Sequence, residues 1–311
     1  MREIVVAADL GGTNLRLAAI DADGSVLYRS KRETPRSDSP DEIVQAIIES
    51  ALDCKSNCAE FEIKAIAAAV PGAINFERGV IMKSPNLPAL DGFRLSAALE
   101  SELNLPTILE NDANAAAVGE SWLGASRGVK NSIFVTLGTG VGGGIIIGGK
   151  VLRGVDGTAG EIGHISVEPQ GAHCGCGGQG CVEQYSSATA IVRLANELRN
   201  NFSDSGLPEA QLTALEIYQR GSKGDRLAIE VFRQMGFYLG VALAGLINVL
   251  NPEVIVIGGG ASAGWDLFIG NLKEEIKNRT YKAAGERAKI IRAECGDDAG
   301  ILGAAKLAFE S

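Results

Sequence analysis

The sequence predicts an α/β protein with mixed sheets in two like domains, and three observations carry that reading. Strands and helices alternate along most of the 311 residues. A strand–glycine turn–strand unit opens the chain. The same unit returns once, near the middle, whereas a solenoid would repeat about every 20–50 residues.

The first unit is Ile4-Val5-Val6-Ala7-Ala8-Asp9-Leu10-Gly11-Gly12-Thr13, a β-branched strand entering a glycine turn. A strand over 15–20, a turn at Asp21-Ala22-Asp23-Gly24 and a strand over 26–28 complete it. Ile133-Phe134-Val135-Thr136-Leu137-Gly138-Thr139-Gly140 repeats the pattern, with a return strand over 144–147 and a turn at Gly148-Gly149 before a strand from Val151. Between the two, a helix is expected over 41–53 and a buried strand over 63–70 ending in Pro71-Gly72. A helix over 95–103, a short strand over 107–110 and a helix from 112 to about 122 follow. Helices dominate 188–250, broken near 203–210 by Ser, Gly and Pro. A buried strand over 254–257 runs into Gly258-Gly259-Gly260, then a helix from about 265, a strand near 289–293 and a last helix over 301–309.

With 46% hydrophobic and 22% charged residues the chain can bury a sizeable core. A net charge of −9 argues against nucleic acid as a partner. It leaves anionic substrates open where backbone amides or Mg²⁺ supply local positive charge. No signal-peptide pattern precedes the first strand, and the best apolar stretch, 241–250, is too short for a membrane and ends at Asn251-Pro252. The expected compartment is the cytoplasm, where clustered thiols bind metal more often than each other. Cys54 and Cys58 on a helix, and the solitary Cys295, suggest no site.

Three of the six cysteines and both histidines fall within 164–181, beside Glu161 and Glu183. Cys174, Cys176 and Cys181 plus one imidazole make a Cys₃His set for a closed, tetrahedral zinc site. Gly175, Gly177, Gly178 and Gly180 fit a chain wrapping closely around a metal. Spacing does not decide between His164 and His173 as fourth ligand.

Gly11-Gly12-Thr13 lies between strands, so it is neither a Walker loop nor a dinucleotide loop. It still offers consecutive amides and a hydroxyl to phosphate oxygens. Gly138-Thr139-Gly140, followed by Gly142-Gly143-Gly144, offers a second such surface, and together the two turns can grip a polyphosphate. Asp9 can hold Mg²⁺, directly or through water, or simply cap its turn. Gly258, Gly259 and Gly260, after a buried strand, let a flat ring lie against backbone. Asn111-Asp112 falls where a strand meets a helix. Asp112 reads equally as an N-cap and as a carboxylate, held charged by the helix dipole, that takes a proton from a hydroxyl in phosphoryl transfer.

Together these pieces resemble the ROK family (repressor, open reading frame, kinase) of sugar kinases and sugar-responsive regulators, over nearly the whole chain. Asp9-Leu10-Gly11-Gly12-Thr13 and Leu137-Gly138-Thr139-Gly140 look like its two phosphate motifs, and Asn111-Asp112 like its catalytic pair. Glu161-Ile162-Gly163-His164 resembles its sugar-binding ExGH, and Cys174 to Glu183 matches its CxCGxxGCxE signature at every fixed position. The resemblance implies an actin-like, duplicated ribonuclease-H-like fold with an active-site cleft between two domains. One would hold residues 1–116 plus about 300–311, and the other 117–299. The last helix would fold back onto the N-terminal domain. His164 is implied as the fourth ligand of a structural zinc, leaving His173 a loop residue. Asn111, Asp112, Glu161, His164 and Glu183 would line the sugar, with Gly72 nearby and Asp112 as base.

The activity so implied is ATP- and Mg²⁺-dependent phosphorylation of a hexose at C6, glucose first, by a homodimer or homotetramer. Kinases for N-acetylglucosamine, N-acetylmannosamine, fructose, allose and mannose share most of these motifs. The loops over 72–93 and 153–160 would separate them at the sugar's C2 substituent. A ROK repressor is the alternative from another class. Such members carry an N-terminal winged-helix segment, whereas the first strand of this chain begins at residue 3, and the acidic charge opposes DNA binding. A silent nucleotide-binding scaffold would have little reason to keep Asn111-Asp112 together with Glu161, His164 and Glu183.

Overall fold

The computed structural model describes residues 2–208 and 211–311. It divides into two compact units, one of 1–130, 144–160 and 294–311 and the other of 131–143 and 161–293. These limits differ from the 116/117 boundary read from sequence. The reason is local: the helix that starts at Asp112 packs on the last helix of the chain at Ala115 and Gly119, which keeps residues past 116 in the first unit.

The first unit holds β1 (Glu3–Leu10), β2 (Asn14–Asp21), β3 (Val26–Glu33), α1 (Pro40–Asn57), β4 (Glu62–Val70), β5 (Ala73–Asn75) and β6 (Val80–Lys83). α2 (Leu95–Leu103), β7 (Thr107–Asn111) and α3 (Asp112–Trp122) follow. Five strands form a sheet in the order β3-β2-β1-β4-β7, antiparallel across β1–β3 and parallel from β1 to β7. β5 and β6 make a separate hairpin that the sequence did not announce.

Alternation along β1 divides its side chains between two cores. Ile4, Val6, Ala8 and Leu10 pack with Ile43 and Ile47 of α1 and Leu99 of α2. Val5 and Ala7 face the other way, with Ala115 of α3 and with Ile301, Leu302 and Ala305. Helix α1 begins where its sequence says it should: Ser39 caps the amide of Asp41, Pro40 opens the first turn, and Asp41 and Glu42 complement the dipole.

The second unit supplies β8 (Ser132–Leu137), from which β9 (Val141–Ile147) and β10 (Lys150–Val151) continue the chain. After the cysteine loop come α4 (Glu183–Ser186), α5 (Ala188–Leu198), α6 (Ala214–Gly221), α7 (Arg226–Leu250), β11 (Val254–Gly258), α8 (Trp265–Arg279), α9 (Lys282–Arg287) and β12 (Lys289–Arg292). Their sheet runs β10-β9-β8-β11-β12, the same order of first to fifth strands as before. The duplication read from two glycine turns is therefore a duplication of sheet topology.

α7 is capped by Asp225 on the amide of Ala228 and stopped by Asn251 at φ 50° before Pro252. By length and composition alone this 25-residue helix could cross a membrane, but 61% of its apolar window is buried in the fold. Gly236 and Gly240, one turn apart, bring α8 close: a Cβ there would lie 2.4 Å from the Phe268 carbonyl oxygen and 2.8 Å from that of Leu272.

The chain ends in α10 (Ala299–Glu310), which returns to the first unit and packs on α3, β1 and β4. The sheet face beneath it is lined by small residues, Ala7, Ala18, Ala65, Ala67 and Ala69. Two glycines make the helix pair possible. A Cβ on Gly303 would stand 1.6 Å from the Ala115 carbonyl oxygen, and one on Gly119 2.1 Å from that of Ala299. Gly303→Val is accordingly expected to destabilise the fold by about 3 kcal/mol, the upper part of the usual overpacking range. An unchanged melting temperature would show that the helices can part without cost.

Candidate active site and metal centre

In the first unit the strand ends gather Asp9, the Gly11–Thr13 turn, Gly72, Asn111 and Asp112. Gly11 donates its amide to the Asn14 carbonyl at 2.9 Å, and its own carbonyl accepts from the Thr34 hydroxyl at 2.6 Å. A Cβ on Gly12 would press on Asn86 at 3.3 Å. The turn is thus closed by its own backbone, with Gly12 and Thr13 exposed.

Asp9 lies opposite Arg16 across β1 and β2, and its Oδ1 would be 3.7 Å from a Cβ on Gly300. Burial pushes its carboxyl up to about 6; Arg16 opposes the shift, while Asp112 and Asp297 add to it. A carboxyl whose folded value exceeds its unfolded value loses stability as pH rises between the two values, and the loss is complete above the folded one. Asp9→Asn removes that loss. It should stabilise the chain at pH 7 by about 3 kcal/mol at most, a two-unit shift at 1.36 kcal/mol each, with the gain vanishing below about pH 4. Chemical denaturation at pH 4 and pH 7 measures it, and equal gains at both would refute the half-buried carboxyl as their origin.

Asn111 ends β7 and caps α3. Its Oδ1 accepts from the amides of Ala113 and Asn114, both at 3.0 Å, and its Nδ2 donates to the Gly72 carbonyl at 3.1 Å. Gly72 stands at φ +116°, and a Cβ there would fall 2.1 Å from the Lys83 carbonyl oxygen, so no other residue fits. With Asn111 as the cap, Asp112 is released from that duty. It occupies the first helical position, where its Oδ1 accepts from the Ala113 amide at 2.8 Å. Burial raises the proton affinity of Asp112, against the pull of the Ala113 amide and Asn111.

Glu110, which sequence reasoning passed over, lies behind this pair with no side-chain exposure. Burial raises its carboxyl too, opposed first by Arg153. Its partner is 43 residues away, so no local pattern could have announced it.

In the second unit the other glycine turns meet. The Gly138 amide bonds the Gly140 carbonyl at 2.9 Å, and the Gly138 carbonyl accepts from Ala188 at the start of α5 at 2.8 Å. Thr189 donates to the Thr139 carbonyl at 2.9 Å. Gly259, at φ +83°, lies against Leu137, 2.6 Å from its backbone by the Cβ measure, so the 258–260 turn rests on the strand that leads into 138–140. Glu183 Oε2 accepts from the Val141 amide at 2.9 Å, and a Cβ on Gly140 would collide with it at 2.3 Å. Gly163 fits only as glycine against the Val141 carbonyl oxygen, 2.1 Å from its Cβ position. Glu183 and Gly163, the neighbour of His164, therefore rest on the same glycine-rich strand.

Beside them His164, Cys174, Cys176 and Cys181 converge, their donor atoms all within 4.8 Å of one another. His164 Nδ1 is 3.7 Å from Cys174 Sγ, and Cys176 Sγ is 3.7 Å from Cys181 Sγ. Sulfurs about 2.3 Å from a tetrahedral zinc stand about 3.8 Å apart, so the donor set fits that ion. His173 is outside the group, bridging Gln179 by its backbone. Gly177 and Gly180 take positive φ, as a tight wrap requires, whereas Gly175 and Gly178 do not. The Gly178 amide donates to Cys176 Sγ at 3.4 Å, and Gln184 Nε2 to Cys174 Sγ at 3.7 Å. His164 Nε2 is left facing the Glu161 carboxylate at 3.9 Å.

The ROK family model matches residues 5–311. The chain belongs to the ROK family. A glucokinase of Halalkalibacterium halodurans is 38% identical over 307 residues, 96% of this chain and 92% of that protein. Among solved ROK structures, a glucokinase of Streptomyces griseus in complex with glucose and AMPPNP is 33% identical, with a TM-score of 0.82 over 99% of this chain and all (100%) of that one. A ROK transcriptional regulator, a homologue of the Escherichia coli MLC protein, superposes with a TM-score of 0.91 at 28% identity, over 99% of this chain and 78% of that one. Shape alone therefore does not part kinases from regulators within ROK. Glucokinase relatives reach 34–38% identity, and the xylose repressors 26–29%.

Proposed function

We propose that this ROK protein transfers the γ-phosphoryl group of ATP to the C6 hydroxyl of a hexose, glucose before others. The observation that carries the reading is the Asn111-Asp112 junction. Asn111 takes over the helix cap and leaves a half-buried Asp112 carboxylate, with raised proton affinity, to accept a proton. The kinase relatives support the substrate pair. As O6 bonds to the γ-phosphorus and the bond to the ADP oxygen breaks, the O6 proton passes to Asp112.

Asn111, held on the Gly72 carbonyl, fixes the hexose beside Asp112, while Glu161, His164 and Glu183 accept and donate to its other hydroxyls. Gly11, Gly12, Thr13, Gly138, Thr139 and Gly140 present amides to the phosphates, and Gly258, Gly259 and Gly260 take the adenosine. Asp9 would hold Mg²⁺, which supplies charge neutralisation at the phosphates. His164, Cys174, Cys176 and Cys181 would hold zinc, which supplies structural rigidity. With Nδ1 toward the metal, His164 would be fixed as an Nε2–H donor. The reading includes a cytoplasmic homodimer or homotetramer with no nucleic-acid or membrane partner.

A coupled ADP-release assay over hexoses and N-acetylhexosamines tests it. Glucose should turn over, and 6-deoxyglucose should compete without turnover. A site built to bond a hydroxyl can reject an analogue lacking it by about 10⁴–10⁵-fold. Turnover of N-acetylmannosamine or N-acetylglucosamine far above glucose would overturn the glucose assignment and keep the kinase.

A further inference from the structure

Glu110 comes directly before Asn111 and Asp112, at the end of β7, in register with Ala69 of β4. A buried carboxylate is costly unless neutralised and fully bonded. Its two oxygens divide the work. Oε2 takes Nε of Arg153 at 2.9 Å and Nη2 of the same guanidinium at 2.8 Å. Oε1 takes the backbone amide of Asn111 at 3.0 Å and Nδ2 of Asn114 at 3.2 Å. The Oδ1 of Asn114 is buried without a hydrogen-bond partner, so this side chain is held from the Glu110 side alone. The carboxylate is thus a bridge between a guanidinium and the first turn of α3.

Arg153 follows β10 in the 144–160 stretch of the first unit. Its guanidinium also lies over the Phe76 ring, 5.0 Å from the centroid, just past β5. Gly157, at φ +88°, seats the same stretch on that hairpin, its Cβ position 2.2 Å from the Ile74 carbonyl oxygen and 2.6 Å from the Phe76 ring. One planar cation therefore joins three pieces that are distant in sequence: the 144–160 stretch, the β5–β6 hairpin and the Asn111-Asp112 junction. Lysine could not reproduce this, since it lacks both the paired donors and the flat face.

We propose that Arg153 is a positioning residue that, through Glu110, sets the orientation of Asn111 and Asp112 toward the sugar hydroxyl. The inference rests on the reading of Asp112 as base. The ATP-binding turns are not part of the bridge, so the effect falls on turnover and on the sugar rather than on ATP. A misplacement of about 1 Å at a reacting group can cost about 100-fold in rate.

The test uses the full, zinc-loaded chain and measures kcat, KM for glucose, KM for ATP and melting temperature. R153M should lower kcat about 10–100-fold while KM for ATP stays within about twofold. R153K should fall between R153M and the wild type, and added methylguanidinium, but not equal KCl, should restore part of the R153M rate. R153M/E110Q removes the carboxylate that R153M leaves buried and unpaired. It should regain melting temperature while kcat stays about tenfold down or more, and it serves if R153M alone does not fold. A folded R153M with normal kcat, or a double variant that regains stability and rate together, overturns the positioning role. A wild-type chain that turns over no hexose overturns the kinase reading and the positioning role with it.

Discussion

Asp112→Asn should fold, bind glucose with near-normal affinity and lose about 10²–10⁴ in kcat, the usual worth of a positioned general base. Two features of the site make this more than a generic expectation. The cap of α3 is made by Asn111 Oδ1, which accepts from Ala113 and Asn114, so the variant keeps its helix start. The Asp112 carboxylate is half-buried, and exchanging it for an amide removes a desolvation cost rather than adding one. Stability should therefore hold or rise while turnover collapses. Steady-state kinetics beside a glucose-binding titration separates the two. A variant with near-normal kcat would demote Asp112 to a first-turn residue of α3.

Metal removal should have the second large effect. One zinc per chain is expected, and structural zinc sites are worth about 10–16 kcal/mol of apparent binding energy in small domains. Cys176→Ser should lose the metal and much of the stability. His164→Ala should lose metal too, while His173→Ala should retain it, since only His164 lies with the three thiols. Elemental analysis of EDTA-washed protein decides the matter: active chain with a stoichiometry near zero would end the zinc assignment. Cys54 offers a control, being a buried thiol on α1 whose proton burial holds up to about 12.

Much of the fold was legible because the strands beneath the glycine turns are apolar runs broken only by Asp9 and Thr136, and those turns punctuate them. Ile4 to Leu10 and Ile133 to Leu137 could be read without any tertiary information. The Cys₃His group was legible because its donors are close in sequence, though choosing His164 needed the family resemblance. What stayed hidden depends on distant partners. Glu110 looks like an ordinary strand-end carboxylate until Arg153 arrives across 43 positions. The division between Asn111 as cap and Asp112 as the first helical residue also needed coordinates, since either side chain suits an N-cap. The allegiance of α3 was hidden for the same reason, since it is set by Gly119 and Gly303 meeting α10.

That last contact has a bearing on how the chain is made. On a ribosome, β1, β4 and α3 emerge early, but the helix that covers their alanine-lined face is encoded at 299–310. At about 5–20 residues per second, the whole second unit is synthesised first, a delay on the order of ten seconds. Throughout that interval Val5, Ala7, Ala67 and Ala115 have no lid, and the first unit waits as an open half-core. The small side chains that let α10 settle so closely also make that waiting surface shallow and weakly adhesive, with less apolar area to offer a neighbouring nascent chain than leucines would expose.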